Sequence, residues 1–335
     1  MTGPVPQVKR ALVVALDNLG DLVFASALVP PLRAHFPEAQ IDIWCKSYTA
    51  PVARLVPDVD RVVEANPFWA VAPRRTRPPI RPFLRAIAEV RRRAYDVAIL
   101  SEAPWRTAAA VALARVPVRV GLARHRNAFF LTHVLRAEDP HQPVVREQAR
   151  LLGALGITPV EPRYRLDSSR LGALRGEVAR ELPRTFVALH PFAGAPDRCV
   201  PLGVWTQVAL ALHARGVPAV WIGTPDELNE LRRSYTVPPG TYIDQLRGGS
   251  LAVTAAALSL ARCTVGHDSG PLHVAAALGT PAVGVFAPGQ PDRTFPQGSG
   301  AWRMIHRPSP ADISAADILR EIHGLESARQ LTSAP

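Results

Sequence analysis

The densest run of chemically capable residues lies between Cys263 and Pro288, CTVGHDSGPLHVAAALGTPAVGVFAP. A short apolar strand runs into Gly266, His267, Asp268, Ser269 and Gly270, a small-residue helix is expected from Pro271, and a second strand from Ala282 to Phe286. Such a unit favours an anion. Gly270 lets the backbone approach a ligand, Pro271 suits a first helical turn because its missing N–H is not needed there, and the free amides behind it face the loop. A phosphate or diphosphate fits that place. The same residues also carry a plainer reading, with Asp268 and Ser269 as helix caps satisfying those amides and His273 as a packed histidine one turn inside.

The elements that must position such a loop are written in an alternating rhythm. Ala11–Leu16 reads as a continuous apolar strand, and after Asp17-Asn18-Leu19-Gly20 the run Asp21 to His35 carries apolar residues at helical spacing. Strands are expected at Ile41–Cys45, Val62–Val63 and Val97–Leu100, with helices at Thr49–Leu55, Pro82–Arg93 and Trp105–Ala114. A helix through Val144–Leu155 stops at Gly156, and the polar stretch Thr158–Asp167, with Pro159 and Pro162, reads as a boundary between domains at 1–160 and 161–335. The pattern then restarts. Phe186–Leu189, Ala219–Ile222 and Tyr242–Ile243 read as strands, and Leu202–Ala214, Asp226–Arg233 and Leu251–Ala261 as helices. After Phe286 come a Pro- and Gly-rich loop and a helix from about Ala311 to Leu325 that can pack back on either domain. Alternating strand and helix implies two doubly wound α/β domains with mostly parallel sheets, whose strand ends form the ligand cleft.

Composition removes several function classes. The 335 residues are 47% hydrophobic and 20% charged, as in a soluble globular protein. No apolar run reaches the ~18 residues that span a membrane, and Asp17 interrupts the first apolar run too early for a signal peptide, so a cytoplasmic location is expected. The three cysteines, Cys45, Cys199 and Cys263, have neither disulfide-framework nor zinc spacing. Neither lysine, Lys9 or Lys46, follows a glycine, which excludes a Walker A loop, and no GxGxxG follows the first strand. The net charge of +11 is carried by arginine, densest at Arg74, Arg75, Arg77, Arg81, Arg85 and Arg91–Arg93. With only Phe83 among them, these arginines read first as a solvated helix face, and equally suit an acidic small molecule or an anionic membrane surface.

Three ordered motifs, ALVVALDNLGDLVFASALVPPLRAHFPEAQIDIW, LHPFAGAPDRCVPLGVW and GHDSGPLHVAAALGTPAVGVFAP, resemble glycosyltransferase family 9, the ADP-heptose heptosyltransferases, over nearly the whole chain. The resemblance implies the GT-B architecture, two Rossmann-like domains facing a cleft, with an acceptor-binding N-terminal and a nucleotide-sugar-binding C-terminal domain. It implies inverting transfer of heptose from an ADP-activated donor to an acceptor hydroxyl. In the Gly20-Asp21 pair the matching carboxylate, Asp21, would be the general base, since an acceptor hydroxyl is a poor nucleophile until its proton is taken. Asp21 also reads as a helix-start acid complementing the dipole, and Asp17 competes for the role. For the donor the match carries over Asp268, Ser269, Gly270 and His273, with Glu227 on the ribose hydroxyls, although a helix-start acid is the alternative for Glu227. Asp268, itself an anion, suits sugar hydroxyls, backbone or His273 better than phosphate; the Ser269 hydroxyl and nearby amides suit the diphosphate. The family's lysine before Trp-Pro is Arg198 here, in Arg198-Cys199-Val200-Pro201; the charge stays, but Arg and Lys are not interchangeable at a tight site. Asn18, Arg124 and Arg126, with His125, are acceptor candidates, and His190 and Ala193-Gly194 further cleft residues.

The expected partners are a nucleotide-sugar donor and a small-molecule or lipid-linked acceptor, either lipopolysaccharide core or a secondary-metabolite precursor. Peripheral membrane association and a monomer fit, and nucleic acid is not an expected partner. No cofactor is required, and magnesium would enter only on the donor diphosphate, because there is no Asp-x-Asp and no ligand-spaced cluster. A nucleotide-sugar epimerase or hydrolase on the same fold is the alternative, with a nucleic-acid binder behind it.

Overall fold

Ala11 to Ala15 have nowhere to place five apolar side chains except a strand covered on both faces, and they form the buried part of β1 (Arg10–Ala15). The computed structural model describes residues 7–70, 77–158, 161–234 and 250–332. Arg74 and Arg75 of the basic run, Pro159 of the boundary segment and the strand expected at Tyr242–Ile243 lie outside the described residues. The chain divides into two units, Met1–Tyr164 and Arg165–Pro335.

In the N-terminal unit β1 is followed by β2 (Gln40–Cys45), β3 (Arg61–Glu64), β4 (Val97–Leu100), β5 (Val118–Leu122) and β6 (His133–Leu135). All pairings are parallel and the order is β3-β2-β1-β4-β5-β6. The chain therefore reverses its winding direction between β1 and β4, where Val14 lies beside Leu100. In open sheets of this kind ligands bind beyond the strand carboxyl ends at that switch point. The core packs Leu12, Val14, Trp44, Phe83, Val90 and Val111 together, with Trp44 stacked on Phe83 at 5.5 Å.

The helix expected from Asp21 to His35 is two helices, Leu19–Ser26 and Val29–His35. Pro30 and Pro31 have no N–H to bond the carbonyls of Ser26 and Ala27, so the first helix cannot run through them, while both suit the first turn of a second helix. The helix expected at Val144–Leu155 is α-helical only over Val144–Ala149 and 3-10 over Arg150–Leu155 before Gly156, which sits at φ 77°. β5 and β6 have no counterpart in the expected strands. Arg119 and Gly121 interrupt the apolar pattern of β5, and Arg119 instead bonds the carbonyls of Phe130 and Val116 from the sheet.

In the C-terminal unit β7 (Val187–His190), β8 (Ala219–Trp221), β9 (Cys263–His267), β10 (Ala282–Phe286) and β11 (Trp302–His306) form a parallel sheet in the order β11-β10-β9-β7-β8. Here the switch point lies between β7 and β9, with His190 beside Gly266. β11 falls in what the sequence presents as loop; its largely exposed face, Trp302 to Met304, hides the strand pattern. The last helix spans Ala315–Thr332 and packs on β10, β11 and the helix Leu202–Ala214, with Ile318, Ile322 and Leu325 in the core of its own unit. Among the described residues no helix is long and apolar enough to cross a membrane.

Candidate functional site

At the switch point of the N-terminal sheet, the chain leaving β1 carries Asp17 and Asn18 into the helix Leu19–Ser26, and the chain leaving β4 carries Ser101 and Glu102. Ser101 ties the two exits together, its amide and hydroxyl both donating to the Val14 carbonyl at 3.2 and 3.0 Å. Asp21, at the third helical position, accepts from the Asn18 amide at 3.0 Å through Oδ2. This is the helix-start role considered for it, and it fixes the carboxylate at the strand end. Lys46, just beyond β2, reaches Asn18 Oδ1 at 3.5 Å, and its ammonium is pushed down by burial while Asp17 and Asp21 pull it up. Burial, then the neighbouring Asp21 charge, raises the Asp17 carboxyl above its ordinary value.

Glu102 was not among the expected site residues. Arg124 clasps it at 3.2 Å to Oε1 and 3.1 Å to Oε2, yet burial outweighs that guanidinium and raises its carboxyl to about 7, with Asp21, Asp17 and buried Glu147 adding to the effect. Its sequence signal was only its place, two residues past a fully buried strand. Arg124 is thus engaged by a carboxylate, whereas Arg126 is exposed and, among the described residues, makes no ion pair. Arg124 precedes and Arg126 lies within the 3-10 helix His125–Phe130, which buried Asn127 pins to the sheet: its Nδ2 donates to the Ala103 and Leu122 carbonyls at 2.7 Å each, and its Oδ1 accepts from the Arg124 amide. The His125 side chain lies outside the described residues.

In the C-terminal unit, β9 delivers Asp268 and Ser269 to the helix Gly270–Ala277. Asp268 bridges two elements: its Oδ1 lies 3.3 Å from Nε2 of the buried His273, and its Oδ2 accepts from the Thr294 hydroxyl at 2.9 Å. The Ser269 side chain does not cap the helix; its hydroxyl donates to the His267 carbonyl at 3.2 Å. His273 is 2% exposed, so any part it has in donor binding passes through Asp268.

Across the switch point stand two more histidines. His267 accepts from the Val200 amide at 2.9 Å through Nε2, and its ring meets Trp205 edge-on at 5.2 Å. Burial, with His190 beside it, pushes it down to about 3, so it is neutral with the proton on Nδ1. His190 faces the Ile222 carbonyl through Nδ1 at 2.8 Å, and burial lowers it too, against the pull of Glu227. Glu227 is half-buried and accepts from the Thr224 amide at 2.7 Å while Thr224 caps the Glu227 amide at 3.4 Å, so the helix-start role is real here as well. Arg198 ends a 3-10 turn, Pro196–Arg198, exposed and without an ion pair among the described residues. The charge that would meet an anion is therefore uncommitted. Among the described residues no group of three or more His, Cys, Asp or Glu could hold a metal ion.

Two parallel-sheet units of this winding, each with its polar residues gathered beyond a strand switch point, have the fold of the GT-B glycosyltransferases. The chain belongs to glycosyltransferase family 9 (heptosyltransferase), whose model matches residues 83–320, and it is a glycosyltransferase. It is 25% identical over 293 residues to lipopolysaccharide heptosyltransferase 3 of Escherichia coli, covering 82% of each chain. Its fold matches the E. coli ADP-heptose lipopolysaccharide heptosyltransferase II with a TM-score of 0.79 at 20% identity, covering 96% of this chain and 99% of that one. The E. coli heptosyltransferase WaaC, solved with ADP, matches with a TM-score of 0.72 at 18% identity over 94% and 99% of the two chains.

Proposed function

We propose that the protein transfers heptose from an ADP-activated donor to an acceptor hydroxyl with inversion, and that Asp21 is the base. The observation carrying this reading is the placement of Asp21 at the N-terminal sheet's switch point, held by the Asn18 amide and beside Lys46. The acceptor oxygen attacks the anomeric carbon from the face opposite the diphosphate, the bond from that carbon to the diphosphate breaks, and the hydroxyl proton passes to the Asp21 carboxylate. ADP leaves with the bonding pair. The N-terminal unit takes the acceptor, with Asn18, Arg124 and Arg126 around it; the Glu102 clasp makes Arg124 a positioning residue rather than a free anion site.

In the C-terminal unit Arg198 neutralises the leaving diphosphate together with Ser269 and the amides opening the helix at Gly270, while Glu227 holds the ribose. Asp268, fixed by His273 and Thr294, faces sugar hydroxyls. A cation and helix-start amides suffice for the leaving group, so the reading needs no protein-held metal, and magnesium would arrive on the donor. The named relatives act on lipopolysaccharide; for this chain the acceptor is lipopolysaccharide core or a small-molecule precursor, at a membrane surface or away from one.

The test is Asp21→Ala with confirmed donor and acceptor. Turnover is expected to fall on the order of 100-fold or more, with donor binding retained. Near-wild-type turnover would remove Asp21 as base and pass the role to Asp17, and donor consumed at full rate without acceptor would favour a hydrolase or epimerase.

A further inference from the structure

The 3-10 helix His125–Phe130 exposes more apolar surface than its length warrants. Phe129 is 87% exposed and Trp105, opening the helix Trp105–Leu113, is 45% exposed. With Phe130, Ala128 and Arg126 they line a cavity of about 480 Å³, within the usual size range of small-molecule sites. The rings are ordered: Trp105 and Phe130 lie 24° from parallel with centroids 6.5 Å apart, and Phe129 stands edge-on to Phe130 at 5.2 Å. The scaffold beneath is fixed, since Asn127 is buried with three hydrogen bonds and the Arg119 guanidinium holds the Phe130 carbonyl at 2.6 Å. The backbone beneath this open hollow is thus tied to the sheet, while Phe129 stands out into solvent.

Its location and charge say what would enter it. Trp105 lies three residues past Glu102 and Arg126 two past Arg124, so these walls of the cavity start from the carboxyl ends of β4 and β5, the same edge of the sheet from which β1 leads to Asp17 and Asp21. Arg126 on its wall, and Arg106 with its guanidinium 5.0 Å from the Trp105 ring centroid, have no carboxylate partner among the described residues. The wall otherwise consists of flat rings and an alanine. A planar apolar group gains ring contacts there, and a phosphate or carboxylate on it can meet a guanidinium.

Resting on the N-terminal unit being the acceptor half, we infer that this cavity is an acceptor subsite for an aromatic group bearing a phosphate or carboxylate, so that the sugar is delivered to an acidic aryl compound. Flat ring walls favour stacked rings over an acyl chain.

The test is calorimetric titration of the full-length protein with 2-naphthyl phosphate. Saturable binding is expected, at least ~10-fold weaker for 2-naphthol and at least ~10-fold weaker in Phe129→Ala and Arg126→Ala, both on exposed side chains whose loss leaves the core intact. Melting temperatures equal to wild type confirm that the variants fold. Dodecyl phosphate, glucose 6-phosphate and anionic phospholipid vesicles are the other arms. Absence of saturable binding, indifference to both substitutions, or tighter binding of any of these three than of naphthyl phosphate would overturn the inference. ADP binding measured in the same preparation separates the two claims: ADP bound with naphthyl phosphate refused removes the aryl subsite alone, and the reverse removes the donor reading alone.

Discussion

Glu102 carries the most unusual ionisation in the N-terminal site, and its consequence can be measured without any substrate. Burial raises its carboxyl from an ordinary 4.5 to about 7 in the folded chain, although Arg124 opposes the shift. A carboxyl raised on folding contributes stability in full below pH 4.5, where it is protonated folded or unfolded, and loses that contribution as pH rises through about 7. Wild-type protein is therefore expected to lose on the order of 1–3 kcal/mol between those two values relative to Glu102→Gln. Denaturant melts at half-unit pH steps read this directly. Parallel curves for the two proteins would mean that Glu102 titrates as it would in water, and that the Asp17–Asp21 surroundings are wetter than their burial implies. The motifs on either side of this pair, Gly20-Asp21 and Asp268 to His273, were legible because type and order sufficed. Glu102, Asn127 and His267 were not, because each acquires its role from a partner far away in sequence: Arg124, Ala103 and Val200.

At the scale of elements, β1, β4, β7, β8 and β10 were legible from uninterrupted apolar runs and β2 although Asp42 breaks its run, each buried along nearly its full length. β5, β6 and β11 were hidden because edge strands and arginine-bearing strands lack that run. The helix Gly270–Ala277 depends on a close approach that only a glycine permits: a Cβ at Gly298 would lie 1.9 Å from the Ala276 carbonyl oxygen. Backbone cannot yield as a side-chain tip can, so Gly298→Ala must displace either its own segment or the end of that helix. A loss of ~2–3 kcal/mol is expected from overpacking. Gly176→Ala is the control, because a Cβ there meets nothing within 4 Å and its helix, Ala173–Glu181, should gain ~0.5–1 kcal/mol. Urea midpoints moving in opposite directions would fit; an unchanged midpoint for Gly298→Ala would mean that its segment does not pack on the helix as placed.

Across the whole molecule, the charge of +11 is what remains after every carboxylate is set against an arginine or lysine, so ion pairs do not reduce it. Arg33, Arg54, Arg93, Arg124, Arg262 and Arg303 each meet a carboxylate of the fold, and the excess is therefore carried by cations outside such pairs. Arg198 is exposed and outside any such pair among the described residues, at the turn that replaces the family's lysine motif. If it meets the donor diphosphate, ligand-induced stabilisation should depend on it. An ADP compound at ~100 times its dissociation constant should stabilise the folded protein by ~2.7 kcal/mol, and a ~10-fold affinity loss in Arg198→Ala should cut that to ~1.4 kcal/mol at the same concentration. Arg198→Lys should fall between, keeping the charge and losing the fork that grips two oxygens at once. ADP, GDP and UDP sugars in one thermal-shift panel then read the base as well as the phosphates. A larger shift with a GDP or UDP sugar would sink the adenosine assignment, and equal shifts for all three in both wild type and Arg198→Ala would place the diphosphate away from this arginine.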